Sequence, residues 1–462
     1  MLPVYKDVTF LDKRCLEEYS LSEDILMEHA ALALLQEIVS HETNKTIFIL
    51  CGPGNNGADG IVLARLLNMH NISCEYHLPF GAKSYMANQQ LKRNMALGLN
   101  PISEVRARDI TVDALFGSGL NRNLEQKSIE LIKKINLFNG YKIACDVPSG
   151  LMSNGSYDVV FKPDTIVTMG AMKEALLYDH VKPLYRKVVI SNLGIHPDLY
   201  NQKCNTYLMQ ESDFNLPTRI NVNSHKGSYG HASIIVGNMQ GAATISGLSS
   251  INFGAGLTTL ISNNELILTQ YELMQSRALP STTNAIAIGM GLGNNYPLKD
   301  KADFLIQYAL IIDADLFYYN NIDLLFQAKR IIITPHPKEF LSLLKICNIS
   351  NIDIDELQKN RFHYAQIFTH KYPNIVLVLK GANTIVSYKE QQFIVNIGEA
   401  SLAKGGSGDV LSGMLVALLA QRYTALNAAL QAVYAHAKAS QHIKVNSYAL
   451  SPKSLIEAVA NL

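Results

Sequence analysis

The sequence predicts an α/β protein with more than one domain. Its 462 residues are 48% hydrophobic and 17% charged, which is enough apolar material for a large core. At roughly 150 residues per domain, this length predicts two or three domains. Short apolar runs rich in Ile and Val alternate with longer segments of helical period, which is the pattern of a parallel sheet covered by helices.

The first half of the chain predicts a Rossmann-like, doubly wound domain. The pattern loosens between residues 192 and 223, where Pro197, Pro217 and several Asn interrupt it, and we place the boundary within residues 198–222. The predicted domains are therefore residues 1–210 and 211–462. The first contains predicted helices over residues 24–39 and 59–68 and predicted strands over residues 47–50, 72–78, 111–115, 142–146 and 165–169.

The same alternation resumes after the boundary and predicts a second parallel sheet. The chain ends in Ala-rich segments that predict helices over residues 409–421 and 425–442. Strands are predicted over residues 232–237, 257–262, 285–289, 310–313, 331–334 and 375–380.

Charge and composition exclude several classes of function. A formal net charge of +1 provides no general field for nucleic acid or an anionic membrane, so any anion must be bound locally. No run approaches the ~18 apolar residues of a membrane span, and charged residues occupy the place of a secretory signal. The six Cys are far apart and form no metal-binding pattern, so we expect reduced thiols in a cytoplasmic protein.

A glycine turn follows the strand at residues 47–50. Gly52, Gly54 and Gly57 match G-x-G-x-x-G, although a tight strand-to-helix turn would need glycine for its backbone alone. The turn also carries Asn55, Asn56 and Asp59. Their amide and carboxylate oxygens suit a hard cation or the hydroxyls of a ligand.

Polar side chains follow two further strands of this half. Ligands of open α/β sheets bind at the carboxyl ends of the strands, so Asp113, Asp146 and Ser149 are expected to converge with Asn56. For each acid taken alone, capping of a helix remains an alternative.

The second half contains a glycine-rich loop, residues 403–408, directly before a predicted helix. Its backbone N–H groups and the helix N-terminus can hold an anion that forms during a reaction. Asp409 lies beside this anion hole and suits a catalytic acid or base, with a capping role as the alternative.

Other strand ends in this half supply supporting groups. Residues 380–384 form a turn suited to a phosphate, and residues 289–293 form a glycine turn that allows close approach to a ligand. His336 lies between two prolines and is expected to face a cleft. Residues 225–231 are either a binding segment or a polar entry loop.

Eight segments of the chain resemble, in order, those of the bifunctional NAD(P)H-hydrate repair enzymes, which fuse an epimerase domain to an ADP-dependent dehydratase domain. The first half resembles the epimerase at GPGNNGADG (52–60), VDALFGSGL (112–120) and DVPSGL (146–151). The second half resembles the dehydratase, which has a ribokinase-like fold, at HKGSYGH (225–231), GMGLG (289–293), TPHPKEF (334–340), KGANT (380–384) and GGSGDVL (405–411).

The resemblance implies two linked reactions. The first domain would interconvert the R and S forms of NADH or NADPH hydrate, with Asp146 as an acid/base group and a potassium ion held by Asn56, Asp113 and Ser149. The second would dehydrate the S form with ADP, accompanied by magnesium, through Asp409 and give AMP and phosphate. A homo-oligomer is expected.

The resemblance also implies the residues that bind each ligand. The epimerase would bind the hydrate through Asn55, Asn56, Gly57, Ala58, Asp59, Gly117, Ser118, Gly119, Leu120, Asn121, Arg122, Asn123 and Asp146. The dehydratase would bind the hydrate through Ala243, Gly293, His336 and Asp409, and ADP through Lys380, Gly381, Ala382, Asn383, Thr384 and Gly408.

Four positions depart from the family pattern. Ala58 replaces a glycine and is expected to place a methyl group near the ligand, while Ser407 keeps the hydroxyl of a threonine. Glu399 and Lys338 add charge that we expect near the nucleotide, where it can alter the choice between ADP and ATP.

Two other functions remain possible from the sequence. A vitamin or sugar kinase would share the anion hole of the second domain but would not explain the Asn-Asn-x-x-Asp segment of the first. A nucleotide-sensing scaffold without turnover would not need Asp409 beside its glycine loop.

Overall fold

Residues 2–204 form one unit of the fold, and residues 205–462, together with Met1, form a second. The structure is a computed structural model that describes residues 1–41, 45–266 and 270–462. The division lies between Cys204 and Asn205, slightly before the predicted limit at 210, because the strand Thr206–Leu208 pairs with a strand of the second unit.

The N-terminal unit is built around a parallel sheet. Its order is β3-β2-β4-β5-β6-β8, and β1 pairs separately with β7. The elements are β1 (Leu2–Tyr5), α1 (Thr9–Tyr19), α2 (Glu23–Val39), β2 (Ile47–Cys51), α3 (Asn55–Met69), β3 (Cys74–His77), α4 (Tyr85–Ala96), β4 (Ile110–Ala114), α5 (Gln126–Asn136), β5 (Tyr141–Cys145), β6 (Thr165–Met169), β7 (Met172–Lys173), β8 (Lys187–Ser191) and α6 (Pro197–Tyr200).

Burial explains why these apolar runs become strands. All residues of β2, β4 and β6 are buried, as expected for a parallel sheet whose two faces are covered by helices. Their side chains share a core with Leu34 of α2 and Leu63 of α3. The sheet register places the carboxyl ends of β2 and β4 side by side, with Cys51 opposite Ala114.

The C-terminal unit contains a mixed sheet of order β12-β11-β10-β13-β14-β15-β16-β17-β18-β9. All neighbours are parallel except β17, which is antiparallel to β16 and β18. Its strands are β9 (Thr206–Leu208), β10 (His231–Ile235), β11 (Leu257–Ile261), β12 (Met274–Ser276), β13 (Ala285–Ile288), β14 (Ala309–Ile312), β15 (Ile331–Ile333), β16 (Ile375–Leu379), β17 (Thr384–Tyr388) and β18 (Gln391–Val395).

Helices cover this second sheet. They are α7 (Gln240–Asn252), α8 (Leu298–Leu305), α9 (Pro337–Ile346), α10 (Ile354–Lys359), α11 (Arg361–Lys371), α12 (Ser407–Ala420), α13 (Ala425–Gln441) and α14 (Pro452–Ala460). Nearly every residue of α12 is buried, because this helix lies in the core with Ile234 of β10 and Ile311 of β14. In the described parts of the chain, no helix is long and apolar enough to cross a membrane.

The predicted α/β class with parallel sheets is confirmed in both units. Each predicted strand and helix is present, with ends shifted by a few residues. The largest shift is in α3, which begins at Asn55 rather than at residue 59 and so carries Asn55, Asn56 and Asp59 in its first turns. The hairpin of β17 and β18 is an addition to the predicted elements.

Candidate active sites

A cavity of about 450 Å³ opens at the carboxyl ends of the strands of the N-terminal unit. Its walls come from the turn after β2, the loop after β4, the residue after β5 and the first helix. The lining residues are Val8, Asp12, Pro53, Gly54, Asn55, Asn56, Asp59, Leu115, Phe116, Gly117, Ser118, Gly119, Leu120, Asn121, Arg122, Asp146 and Met169.

The glycines of the turn after β2 are required by close backbone contacts. A Cβ on Gly52 would lie 1.7 Å from the Leu115 carbonyl oxygen, and a Cβ on Gly57 would lie 1.9 Å from the Gly52 carbonyl oxygen. The turn therefore lies tightly against the loop after β4, and it presents Asn55 and Asn56 to the cavity.

Asp146 is held in a defined position at the end of β5. Its backbone is in the left-handed region, with φ of 69°. Its Oδ2 accepts a hydrogen bond from the Ser118 N–H at 2.9 Å, and its Oδ1 lies 2.6 Å from the Lys173 Nζ. Burial favours the neutral acid, but the nearby Lys173 ammonium outweighs it and keeps the pKa of Asp146 below its ordinary value.

Asp59 lines the same cavity, but its pKa is shifted in the opposite direction. Burial, followed by repulsion from Asp146 and Asp12, raises the pKa of Asp59 well above its ordinary value. Its Oδ2 lies 3.9 Å from the Cys145 thiol, which donates to it. One cavity thus contains a carboxyl group whose pKa is held below its ordinary value and another whose pKa is raised above it.

Asp113 and Ser149 contact each other, as predicted. The Ser149 hydroxyl and N–H donate to Asp113 at 2.7 and 2.8 Å. Within the described residues, the fully buried Asp113 has no ion-pair partner, and both polar atoms of the Asn56 side chain are buried without a hydrogen bond. A buried carboxylate without a cationic partner and an unpaired amide oxygen suit a hard cation.

The site of the C-terminal unit forms around the first turn of α12. Gly406, in the left-handed region at φ 89°, reverses the chain so that α12 begins directly after the glycine loop. Asp409 lies in that turn, and its carbonyl accepts from the Ser246 hydroxyl of α7 at 2.9 Å. Burial and the neighbouring Asp313 raise the pKa of Asp409 to about 6.

Lys380, at the end of β16, connects several acidic groups. Its Nζ lies 2.9 Å from Asp313 Oδ1 and 3.9 Å from Glu339 Oε2. Burial would lower the pKa of this lysine, but the surrounding carboxylates raise it. A Cβ on Gly408 would lie 3.4 Å from the Lys380 Nζ, so the ammonium group is adjacent to the glycine loop.

His336 and Gly293 occupy two further strand ends. His336 caps α9, with its Nδ1 accepting from the Lys338 N–H at 3.1 Å. Burial lowers the pKa of His336, whose Nε2 lies 3.2 Å from Glu339 Oε1 while the side chain remains partly exposed. The Gly293 N–H donates to Asp315 Oδ2 at 2.8 Å, which fixes this glycine turn.

The structure brings most predicted residues to these two sites, and places some elsewhere. Gly57, Ala58 and Asn123 do not line the N-terminal cavity. Ala58 is fully buried in the core and does not line the cavity. This differs from the expectation that its methyl group would lie near the ligand. Ala243 is also fully buried, and α12 packs over its helix.

The predicted ADP-binding segment lies mainly in the turn between β16 and β17. Gly381 and Ala382 are exposed there, whereas Asn383 is buried. Glu399 and Lys338, the two charged departures from the family pattern, are both exposed.

Sequence reasoning missed the residues that reach the sites from distant positions. Lys173 follows β6 by a few residues, and Asp12 comes from α1. Asp313 follows β14, and Glu339 lies in the first turn of α9. The strand-end rule that identified Asp113 applies equally to Asp313, whereas no local pattern marks Lys173 or Asp12.

Comparison with known proteins agrees with this division. Residues 23–175 match the family described as YjeF-related protein N-terminus, and residues 232–461 match the family described as NAD(P)H-hydrate dehydratase. The second match supports the predicted dehydratase domain. A solved ADP/ATP-dependent NAD(P)H-hydrate dehydratase from Bacillus subtilis, co-crystallised with ATP and Mg²⁺, is 28% identical and matches 53% of this chain and 92% of its own, with a TM-score of 0.45.

Similarity to curated relatives extends over both units. The chain is 40% identical to the bifunctional NAD(P)H-hydrate repair enzyme Nnr of Helicobacter pylori, with 100% of both chains covered. It is 31% identical to the enzyme of the same name from Escherichia coli, with 85% of this chain and 79% of the relative covered. The chain therefore belongs to the family of bifunctional NAD(P)H-hydrate repair enzymes.

Proposed function

We propose that the N-terminal unit interconverts the R and S forms of NAD(P)H hydrate and that the C-terminal unit dehydrates the S form with ADP. The observation that carries this proposal is the presence of two separate sites, each with an aspartate beside a glycine turn, buried in the first site and half-buried in the second. Asp146 belongs to the first site and Asp409 to the second.

In the epimerase site, Asp146 acts as a base on the hydroxyl group of the hydrated carbon. The Lys173 ammonium keeps its carboxylate charged, and the Ser118 N–H fixes one oxygen. Asn55, Asn56, Asp59 and residues 117–122 surround the hydrate, with Gly57, Ala58 and Asn123 supporting them from outside the cavity wall.

Asn56, Asp113 and Ser149 would hold a potassium ion in this unit. The unpaired Asn56 amide and the buried Asp113 carboxylate fit such an ion. When bound, the ion would supply positive charge close to the substrate. It would also connect the turn after β2, which carries Asn56, to the segment after β5, which carries Ser149.

In the dehydratase site, Asp409 takes the proton of the hydrate hydroxyl while the oxygen attacks the terminal phosphate of ADP, and AMP leaves. The glycine loop donates N–H groups to the transferred phosphoryl group. Loss of phosphate and of a proton from the neighbouring carbon then restores the double bond of NAD(P)H. His336 and Gly293 hold the nicotinamide part, and residues 380–384 with Gly408 hold ADP.

Magnesium would accompany the nucleotide. This ion usually binds one or two carboxylates together with substrate phosphates and retains several waters. Asp313 and Glu339 are the carboxylates beside the Lys380 ammonium, and burial raises the pKa of Glu339 to about 7. Preference for ADP over ATP, a homo-oligomeric state and a cytoplasmic location stay predictions.

Two single variants of the full-length protein test this assignment. Asp409→Asn is expected to abolish ADP-dependent recovery of NADH absorbance from the S hydrate and to leave R-to-S conversion intact. Asp146→Asn is expected to do the reverse. Equal loss of both activities in either variant would contradict two independent sites, and stable phosphorylation of a vitamin by the wild type without recovery of NADH would favour a kinase.

A further inference from the structure

Asp12 brings a carboxyl group into the N-terminal cavity from a part of the chain outside the matched family segment. The cavity lining includes Val8 and Asp12, which lie at the beginning of α1, whereas the N-terminal match begins at residue 23. Asp12 therefore shares the cavity with Asp59 and Asp146.

The position of Asp12 is fixed on one side. The Tyr200 hydroxyl donates to Asp12 Oδ1 at 2.7 Å. Arg14, also in α1, donates to the carbonyl oxygens of Tyr200 at 3.2 Å and of Leu199 at 2.5 Å, which fastens α1 to α6. Within the described residues, Asp12 Oδ2 has no hydrogen-bond partner, so this oxygen is available to a ligand.

The proposed reaction needs a second proton-transfer group. A hydrated nicotinamide ring carries its hydroxyl on a carbon bonded to the ring nitrogen, so the ring can open to an aldehyde and close again on the other face. Opening requires a base for the hydroxyl proton and an acid for the nitrogen. Asp146, kept charged by Lys173, can supply only the base.

We propose that Asp12 is the second acid/base residue of the epimerase, an inference that rests on the function proposed for this cavity. Asp146 accepts the hydroxyl proton as the C=O bond forms and the carbon–nitrogen bond breaks. The nitrogen keeps the bonding electron pair and takes the proton of Asp12. The aldehyde rotates, and ring closure returns both protons, so each carboxyl group regains its starting state.

The charges around Asp12 suit a proton donor. Burial raises the pKa of Asp12, and the hydrogen bond from Tyr200 and the charge of Lys173 only partly oppose this effect. Asp146 and Asp7 raise it further. The other ionisable groups nearby are Asp59, which also lines the cavity, and Arg14 and Cys15 of α1.

The first test compares Asp12→Asn with Glu17→Gln, a change at an exposed residue of the same helix. R-to-S conversion is followed by chromatography in the full-length protein. Asp12→Asn is expected to lower the epimerase kcat by about 100-fold or more, the contribution typical of a general acid, while Glu17→Gln and the dehydratase rate stay at wild-type values. Epimerisation by folded Asp12→Asn within about threefold of wild type would overturn the proposal.

A second variant tests Asp12 through the pH profile of the epimerase, which would not shift if Asp12 had only a structural role. Tyr200→Phe removes the hydrogen bond that lowers the pKa of Asp12. The reaction needs Asp12 protonated, so the alkaline limb of the epimerase pH profile should move to higher pH in this variant. An unchanged limb would overturn the proposal even if Asp12→Asn did not fold.

Asp146→Asn separates this inference from the function on which it rests. If Asp146→Asn stops epimerisation and Asp12→Asn does not, only the role of Asp12 fails. If neither variant affects epimerisation, the assignment of the cavity itself fails.

Discussion

Asp146 and Asp59 line one cavity, yet their surroundings push their pKa values apart. The difference between them comes from Lys173, whose Nζ also donates to the Thr168 hydroxyl and the Met169 carbonyl oxygen at 3.0 and 2.6 Å. Lys173 is thus a positioning residue that sets the charge of Asp146.

Lys173→Met tests this role. Without the ammonium group, burial dominates and the pKa of Asp146 rises, so the acid limb of the epimerase pH profile should move to higher pH. The variant should also lose about 3–5 kcal/mol of unfolding free energy, because a buried charge loses its partner. Lys13→Met is the control, because this lysine of the same unit and its partner Glu17 are both exposed. An unmoved acid limb would refute the role.

The second residue-scale prediction concerns Asp409. A base must be deprotonated, and the pKa of Asp409 is about 6, so dehydration should increase as pH rises through 6 and level off above it. The measurement is kcat/KM for the S hydrate with saturating ADP between pH 4.5 and 8. Full activity persisting below about pH 5 would contradict the assignment of Asp409 as the base.

At the scale of the element, the loop after β4 depends on a glycine between two functional side chains. A Cβ on Gly117 would lie 3.1 Å from Asn56 Oδ1 and 3.1 Å from Asp146 Oδ2, whereas a Cβ on Gly119 would meet no atom within 4 Å. Gly117→Ala should therefore displace both side chains and lower epimerase kcat roughly 10-fold or more, since small misplacements are costly. Gly119→Ala should lower the epimerase kcat clearly less. Equal kcat values for the two variants would show that the close approach of Gly117 to Asn56 and Asp146 is unimportant.

The elements also show what the sequence could predict. Runs such as β2 and β14 are buried throughout, so their composition alone identified them. The hairpin of β17 and β18 was missed because Lys389, with φ of 55°, forms its turn in place of the usual Asn-Gly or Asp-Gly. Ser149 and Asp113 were predicted to meet because strand ends are fixed by topology, whereas the approach of Asp12 depends on how α1 packs.

At the scale of the whole molecule, each site is built from residues of its own unit. The epimerase cavity is lined by residues within 2–204, and Asp313, His336, Lys380 and Asp409 belong to 205–462. Among the described residues, those named at each site belong to a single unit, so the chemistry of each step does not require the other step to occur in the same chain.

This independence predicts complementation between two inactive chains. Asp146→Asn should dehydrate only the S hydrate, and Asp409→Asn should epimerise but not dehydrate. A mixture of the two should therefore convert R hydrate completely to NADH, because S hydrate released by one chain can bind to the other. The increase in NADH absorbance is compared with that of Asp146→Asn alone, in which only slow uncatalysed epimerisation supplies S hydrate. The opposite result is a mixture that forms NADH no faster than Asp146→Asn alone, although each variant retains its own activity. The S hydrate would then have to pass directly between the two sites of one chain, and the two units would not act independently.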